Sequence, residues 1–328
     1  MRVGIVGAGL IGNKRASNLG GAKLAWVADV VAERAKKLAD RHDCSFTSDW
    51  REVVEDDSVD LVIVSTTNDS LAQVAIGAIK NGKHTLIEKP CARNPKELLG
   101  VINAARRRKG VKVKAGFNHR FHPALAKAKD IFDSGDAGEL MYIRARYGHG
   151  GRKGYDREWR AKLEKAGGGE MLDQGIHVVD LSRWFAGDFD RAFGLCGTMF
   201  WDMEVEDNGF ALLKNRKGQI AMLQTSWTEW KNLFSFEIFC RRGKLEINGL
   251  GGSYGEETLT YYKMKPELGI PDKFVYGWPG EDISWKLEFE NFLDAIKNDR
   301  EPLGTIKDAY AAMKIIFDIY KWNKAHGK

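Results

Sequence analysis

Between residues 167 and 180 the chain reads GGGEMLDQGIHVVD. Three glycines run into a segment where Asp173, His177 and Asp180 stand among Met171, Leu172, Ile176, Val178 and Val179. On a helix beginning near Glu170, Asp173 and His177 are four apart and share one face. An imidazole titrates near neutrality, so this pair could exchange a proton with a substrate hydroxyl. It could equally supply two ligands to a metal, or be two satisfied polar groups on a core helix. A zinc site needs three or four ligands. No second histidine–carboxylate cluster is evident in the sequence, and no metal is expected. For Asp180 a structural hydrogen bond is as good a reading as chemistry.

A third group with chemical potential is Lys89, in Glu88-Lys89-Pro90. It closes a strand-like run at residues 83–90, and ligands of open α/β sheets bind outside the carboxyl ends of the strands. An ammonium there can hydrogen-bond a substrate oxygen and stabilise charge developing on it. Taken alone, a lysine before a proline is as readily a surface residue.

These groups need a scaffold. Apolar, β-branched runs at 2–7, 23–29, 59–67, 83–90 and 111–118 alternate with helical patterns, which gives a doubly wound parallel sheet. The helix after Asn94 carries Pro95 in its first turn, Glu97 three past the cap and Gly110 beyond its end. The first turn reads Gly7-Ala8-Gly9-Leu10-Ile11-Gly12, between a strand and a helix, with Asp29 at the end of the second strand. That context marks a dinucleotide site. Gly7 permits the tight turn, Gly9 lets the pyrophosphate approach the backbone, and Gly12 lets helix and strand pack closely. The Asp29 carboxylate suits ribose hydroxyls and repels a 2′-phosphate. Val30 and Val31 follow it with no adjacent arginine, so NAD is expected rather than NADP.

The glycine motif, EKP near residue 90 and GGGxxxDxGxHxxD near residue 170 together resemble the glucose–fructose oxidoreductase and inositol dehydrogenase family (Gfo/Idh/MocA) over nearly the whole chain. The resemblance implies an α/β fold, with an N-terminal Rossmann domain and a C-terminal α+β domain built on a large, mostly antiparallel open sheet. It implies Lys89, Asp173 and His177 as the catalytic constellation, with either Lys89 or His177 taking the proton. Thr66, Asn68, Glu88, Lys89, Asn118, Trp159 and Arg160 join Gly7, Gly9, Leu10, Ile11, Gly12 and Asp29 as cofactor-binding candidates. Asn118-His119-Arg120-Phe121 resembles the family's crossing between domains. Thr67 and Leu71 depart from its usual proline and histidine.

The expected division is a dinucleotide-binding domain at 1–120 and a substrate-binding and oligomerisation domain at 121–328. In the latter, residues 141–150 and a series of runs from 192 to 264, separated by NRKG, CRRG and LGGSYG, read as strands of an antiparallel sheet. Pro266, Pro271 and Pro279 mark a long loop, and two helices close the chain. Apolar residues on both faces at 233–240 suggest that one face meets a second subunit in a homodimer or homotetramer. Tyr147, His149, Arg152, Tyr155 and Trp159 crowd the approach to Asp173 and His177, where aromatic faces and polar tips suit a polyhydroxylated ring. Lys89, Arg120, Tyr147, His149, Tyr155, Asp173 and His177 are the substrate-binding candidates. Arg120, Arg144, Arg146 and Arg152 could bind an anionic group on the substrate or pair with surface carboxylates.

Composition is that of an ordinary globular protein: 328 residues, 43% hydrophobic and 29% charged. A net charge of +6 demands no nucleic acid, and RRRK at 106–109 reads as a solvated helix end. Four scattered cysteines without metal spacing point to reduced thiols in a cytoplasmic protein. A strand from residue 2 leaves no room for a signal peptide, and no apolar run approaches the ~20 residues of a membrane span. The expected activity is hydride transfer between NAD(P) and a secondary alcohol or ketone of a sugar, sugar derivative or cyclitol. The alternatives are redox-neutral chemistry with tightly held NAD, and a non-catalytic NAD sensor.

Overall fold

The structure, a computed structural model, describes residues 1–327 and divides into two compact units. The first comprises residues 1–117, 164–167 and 285–310. Its sheet contains β1 (Arg2–Val6), β2 (Lys23–Ala28), β3 (Ser45–Thr47), β4 (Leu61–Val64), β5 (His84–Glu88) and β6 (Val113–Gly116). The strands are parallel in the order β3-β2-β1-β4-β5-β6. The order reverses between β1 and β4, the switch point at which such sheets bind ligands. Every residue of β4 is buried, as expected of a strand covered on both faces. The linking helices are α1 (Leu10–Ala16), α2 (Ala32–His42), α3 (Trp50–Glu55), α4 (Asn68–Lys80) and α5 (Pro95–Arg107). At α5 the expected cap is formed: the Asn94 side chain accepts from Glu97 N at 3.0 Å, and Glu97 Oε2 accepts from Arg93 N. The short β3 has no counterpart in the sequence reading; three residues are too few for a periodic signal.

Residues 118–163, 168–284 and 311–327 form the second unit. A 3-10 turn at Asn118–Phe121 leads into α6 (Pro123–Asp133) and β7 (Leu140–Gly148). After α7 (Leu163–Ala166) come α8 (Glu170–Asp173), α9 (Gly175–Ala186), β8 (Arg191–Gly197), β9 (Asn208–Lys214) and β10 (Ile220–Ser226). Next are β11 (Leu233–Cys240), β12 (Gly243–Asn248), β13 (Glu257–Lys263), β14 (Asp272–Trp278), α10 (Ser284–Lys297) and α11 (Ile306–His326). The eight strands run β14-β13-β12-β11-β7-β10-β9-β8, antiparallel except for the β7–β10 pair. Strict alternation sets the faces: Ala211, Leu213, Ala221 and Leu223 are buried, while Phe210, Leu212, Ile220 and Met222 are exposed.

Two expectations change. The predicted loop between Pro266 and Pro279 contains strand β14, and Pro271 and Pro279 bracket it directly. Proline lacks a ladder donor, so it is tolerated at the ends of an edge strand. The outer face at 233–240 is also mixed rather than apolar throughout. On β11 Leu233 and Phe239 are partly exposed and alternate with Ser235 and Glu237, and Glu237 pairs with Arg144 and Lys244. Further exposed apolar side chains lie on β7, β8, β9, β10 and β14, among them Tyr142, Leu195, Leu212, Met222 and Val275.

Candidate functional site

In the first unit the glycine turn is built as its sequence requires. Gly7 has φ of 101°, and a Cβ there would sit 2.5 Å from the Ser65 carbonyl oxygen. A Cβ on Gly12 would collide with the Gly7 carbonyl. Gly9 is different: nothing lies within 4 Å of its would-be Cβ, so the backbone is open to a ligand. Asp29 accepts from Ala8 N at 2.8 Å through Oδ2 and from Val31 N at 2.9 Å through Oδ1. These bonds tie the second strand to the glycine turn. A carboxylate has about four lone-pair sites, so capacity remains for a ribose hydroxyl. Val30, next to Asp29, is 88% exposed, and Leu10, next to Gly9, is 84% exposed, so both ends of the turn carry apolar surface. The open glycine, the carboxylate and the apolar shelf fit a dinucleotide.

Lys89 follows β5 and precedes a cis peptide bond to Pro90. Glu88 and Asn68, expected at the cofactor, make hydrogen bonds within the protein. Glu88 is buried against Arg15, with Nε donating to Oε1 at 2.6 Å, and burial pushes the Glu88 carboxyl above its usual range. Asn68 is buried and donates through Nδ2 to the Ala166 carbonyl at 2.9 Å. Thr66 donates to the Thr67 carbonyl at 3.1 Å. A side chain committed to an internal bond in a tight turn has little freedom to meet a ligand, and a spacing rule cannot reveal that commitment.

In the second unit Asp173 and His177 do not lie on one continuous helix, as the sequence pattern suggested. Asp173 ends α8, Gln174 intervenes, and His177 lies in the first turn of α9. Gly175 allows this join, because a Cβ there would press against the Met171 sulfur at 2.9 Å. Glu206 secures the start of α8: its carboxylate accepts from Gly169 N at 2.9 Å, Met171 N at 3.2 Å and the Tyr320 hydroxyl at 2.6 Å.

His177 is buried, and its ring stacks on His119 with centroids 3.7 Å apart and planes 19° apart. Tyr147 stands edge-on to His177, and its hydroxyl is 3.1 Å from His119 Nε2. Gln174 Nε2 donates to the Tyr254 hydroxyl at 2.8 Å, and the Tyr254 ring packs against Tyr147. Burial pushes the Tyr147 phenol well above its ordinary value and that of Tyr254 up to about 12, so both retain their hydrogens near neutrality. Asp173 Oδ2 lies 3.4 Å from Arg160 Nε, and Arg160 rests over the Trp159 ring.

Other candidates have structural duties. Arg120, expected at the substrate, forms a bidentate pair with Asp180 at 2.8 and 2.6 Å, both residues being buried. Asn118 donates to the Ser284 hydroxyl at 3.0 Å. His149 Nδ1 accepts from Gly151 N at 2.9 Å, and its ring packs on Tyr155, which is buried against Trp227. Arg144 and Arg152 pair with Glu237 and Glu158. Sequence reasoning did not find the roles of Gln174, Glu206, Tyr254 and Tyr320. Tyr254 lies in a stretch that reads as a turn, and Tyr320 is 114 positions from the Glu206 it binds. No group of three or more histidine, cysteine or carboxylate side chains suited to a metal occurs among the described residues, and no helix there is long and apolar enough to cross a membrane.

Residues 1–117 match the oxidoreductase family with an NAD-binding Rossmann fold (GFO_IDH_MocA), and residues 125–246 match the GFO/IDH/MocA C-terminal domain. The chain is 32% identical over 329 residues to scyllo-inositol 2-dehydrogenase (NAD(+)) of Bacillus subtilis strain 168, covering 96% of this chain and 92% of that protein. It is 30% identical over 234 residues to levoglucosan dehydrogenase of Pseudarthrobacter phenanthrenivorans, covering 66% of this chain and 59% of that one. Among solved structures, a levoglucosan dehydrogenase in complex with NADH aligns with a TM-score of 0.89 at 22% identity, over 99% of this chain and 97% of its own.

Proposed function

Because the chain belongs to the Gfo/Idh/MocA oxidoreductases and begins with their NAD-binding Rossmann domain, we propose that it oxidises a secondary alcohol of a sugar, sugar derivative or cyclitol, or reduces the matching ketone, with NAD. The observation that carries this reading is the buried His177, held flat against His119 beside an Asp173 tied to Arg160. Relatives named for inositol and levoglucosan oxidation support the substrate class.

His177 takes the hydroxyl proton, since a neutral imidazole is a competent base at neutral pH. Lys89, on the first unit, is the ammonium proposed to stabilise negative charge developing on a substrate oxygen. Asp173 accepts a hydrogen bond from a neighbouring hydroxyl. Gly9 and Asp29 would hold the dinucleotide, which would supply the hydride acceptor. Tyr147, edge-on to His177, supplies the aromatic wall on the second unit.

The test is a panel of cyclitols, free hexoses, anhydrosugars and nucleotide-activated hexoses, followed by nicotinamide absorbance. A vicinal diol should outperform its deoxy analogue by roughly tenfold to a hundredfold, because an unpaired buried polar group costs about 1–3 kcal/mol. Equal activity on simple secondary alcohols would end the polyol reading.

Assembly is proposed as a homodimer or homotetramer through the exposed face of the second sheet, where Leu195, Phe210, Leu212, Ile220 and Met222 are solvent-facing. Light scattering should show an oligomer at micromolar concentration, and Leu212→Glu should shift it toward monomer. A wild-type protein that is monomeric at that concentration refutes the proposal.

A further inference from the structure

We infer that His119 is a positioning residue for His177, fixing the plane of that imidazole and opposing its protonation by sharing any positive charge the pair takes up. The inference rests on His177 being the proton acceptor. Its basis is the stack itself: two ionisable rings in face contact, with centroids 3.7 Å apart and no hydrogen bond possible between their faces. Two imidazolium rings at that separation repel each other, so the pair takes its second proton far less readily than its first.

The surrounding bonds fix the orientation of His119. Asn118 donates through Nδ2 to Ser284, which leaves its Oδ1 to accept from His119 Nδ1 at 3.2 Å. His119 Nε2 lies 3.1 Å from the Tyr147 hydroxyl, which is also hydrogen-bonded to Tyr254. The ring is thereby oriented at both nitrogens. When His119 takes the pair's proton, Nε2 donates to the Tyr147 oxygen.

Two carboxylates near His177 in sequence face arginines. Asp173 on α8 is tied to Arg160, and Asp180 on α9 is tied to Arg120. Glu170 on α8 is a buried carboxylate whose charge reaches Tyr147 and favours a proton in this neighbourhood in every variant compared, and Arg183 on α9 pairs with Asp188. The inward residues of β10, Ala221, Leu223 and Thr225, do not titrate, and β7 contributes Tyr147. His122 stands edge-on to His119 and is itself bound to Glu257 at 2.8 Å. Within this unit, the ionisable ring in face contact with His177 is His119.

The test compares wild type, His119→Phe and His119→Ala in two readouts: the pH profile of kcat/KM, and an NMR titration of the His177 ring protons without cofactor. Phenylalanine keeps the aromatic face and removes the second charge. The acid limb and the His177 titration should therefore both move upward, by about half to one pH unit, since a like-charged neighbour has been lost. Alanine removes the face as well. Its plateau kcat should fall at least tenfold further than that of the phenylalanine variant, with a smaller change in KM. If His119→Phe does not fold, His119→Gln must give the same upward movement. An unmoved limb and titration in a folded variant overturn the inference. A His177→Ala enzyme with wild-type turnover overturns instead the assignment of His177 as base, and the NMR titration still reports whether the rings are coupled.

Discussion

Glu288 on α10 forms a salt bridge with Arg15 on α1 at 2.6 Å, although the two are 273 positions apart and both are essentially inaccessible to solvent. Arg15 also reaches Glu88, and Lys114 lies 3.5 Å from Glu288, so two cations and two carboxylates share one buried cluster. Gly116 makes room for it, since a Cβ there would stand 3.0 Å from both Arg15 and Glu88. The cluster anchors the last residue of β5, immediately before Lys89. Removing one member strands a buried charge, which typically costs about 3–5 kcal/mol. Glu288→Ala should lower the stability measured by urea unfolding by that order, and should lower turnover as well because the strand end beside Lys89 loosens. A loss below about 1 kcal/mol would show that the cluster relaxes without Glu288, a cost more typical of an exposed pair.

Lys89→Met and His177→Ala should each reduce kcat strongly while leaving NAD affinity within a few-fold. Proton transfer alone commonly contributes about 10²–10⁴-fold. Steady-state kinetics alongside calorimetric NAD binding separate the two effects. Turnover close to wild type in either variant would place the acid–base chemistry on another residue.

NAD should bind more tightly than NADP. Both Asp29 oxygens are fixed by backbone N–H groups, so the carboxylate cannot swing away from a 2′-phosphate without giving up those bonds. Calorimetric titration of both cofactors is the check, and Asp29→Ser should narrow the preference. Tighter NADP binding by the wild-type protein would contradict the assignment.

Asp207 gives a pH-dependent contribution to stability. Burial pushes its carboxyl upward, but hydrogen bonds from the backbone N–H groups of Trp201, Met199 and Phe200 outweigh this and leave it below the usual value. A carboxylate depressed in the folded state stabilises above its unfolded pKa, near 4, and loses that contribution as pH falls through the folded value. Asp207→Asn should therefore reduce stability at pH 7, and its gap from wild type should shrink below about pH 4. Unfolding midpoints across that range measure the gap. A difference independent of pH would mean that the turn at 199–201 is held by something other than the charge.

The parallel sheet was legible because its strands are continuous apolar runs and its first turn carries three glycines with separate steric duties. Asp173 and His177 could be found as a pair from their spacing. The break at Gln174 could not, because Gly175 also fits an uninterrupted helix. His119 was visible within the Asn118–Phe121 motif, but nothing local announces a stack on a residue 58 positions away. Glu88 and Arg120 carry the residue types of ligand contacts, and their burial against Arg15 and Asp180 depends on distant side chains. The edge strand β14 was hidden by the prolines that bound it.

Phe289 and Phe292 on α10 are fully buried in the same core as Val3, Ile5, Val27 and Leu61. During synthesis, the first strands leave the ribosome long before the helix that completes their core. At roughly 5–20 residues per second, the wait between residue 117 and residue 297 is on the order of ten to forty seconds. Throughout it the nascent sheet carries an open apolar seam, and a fragment ending near residue 120 would keep that seam permanently. Such a fragment should be the aggregation-prone form of this chain, and the full-length polypeptide should gain its stability late, when α10 emerges.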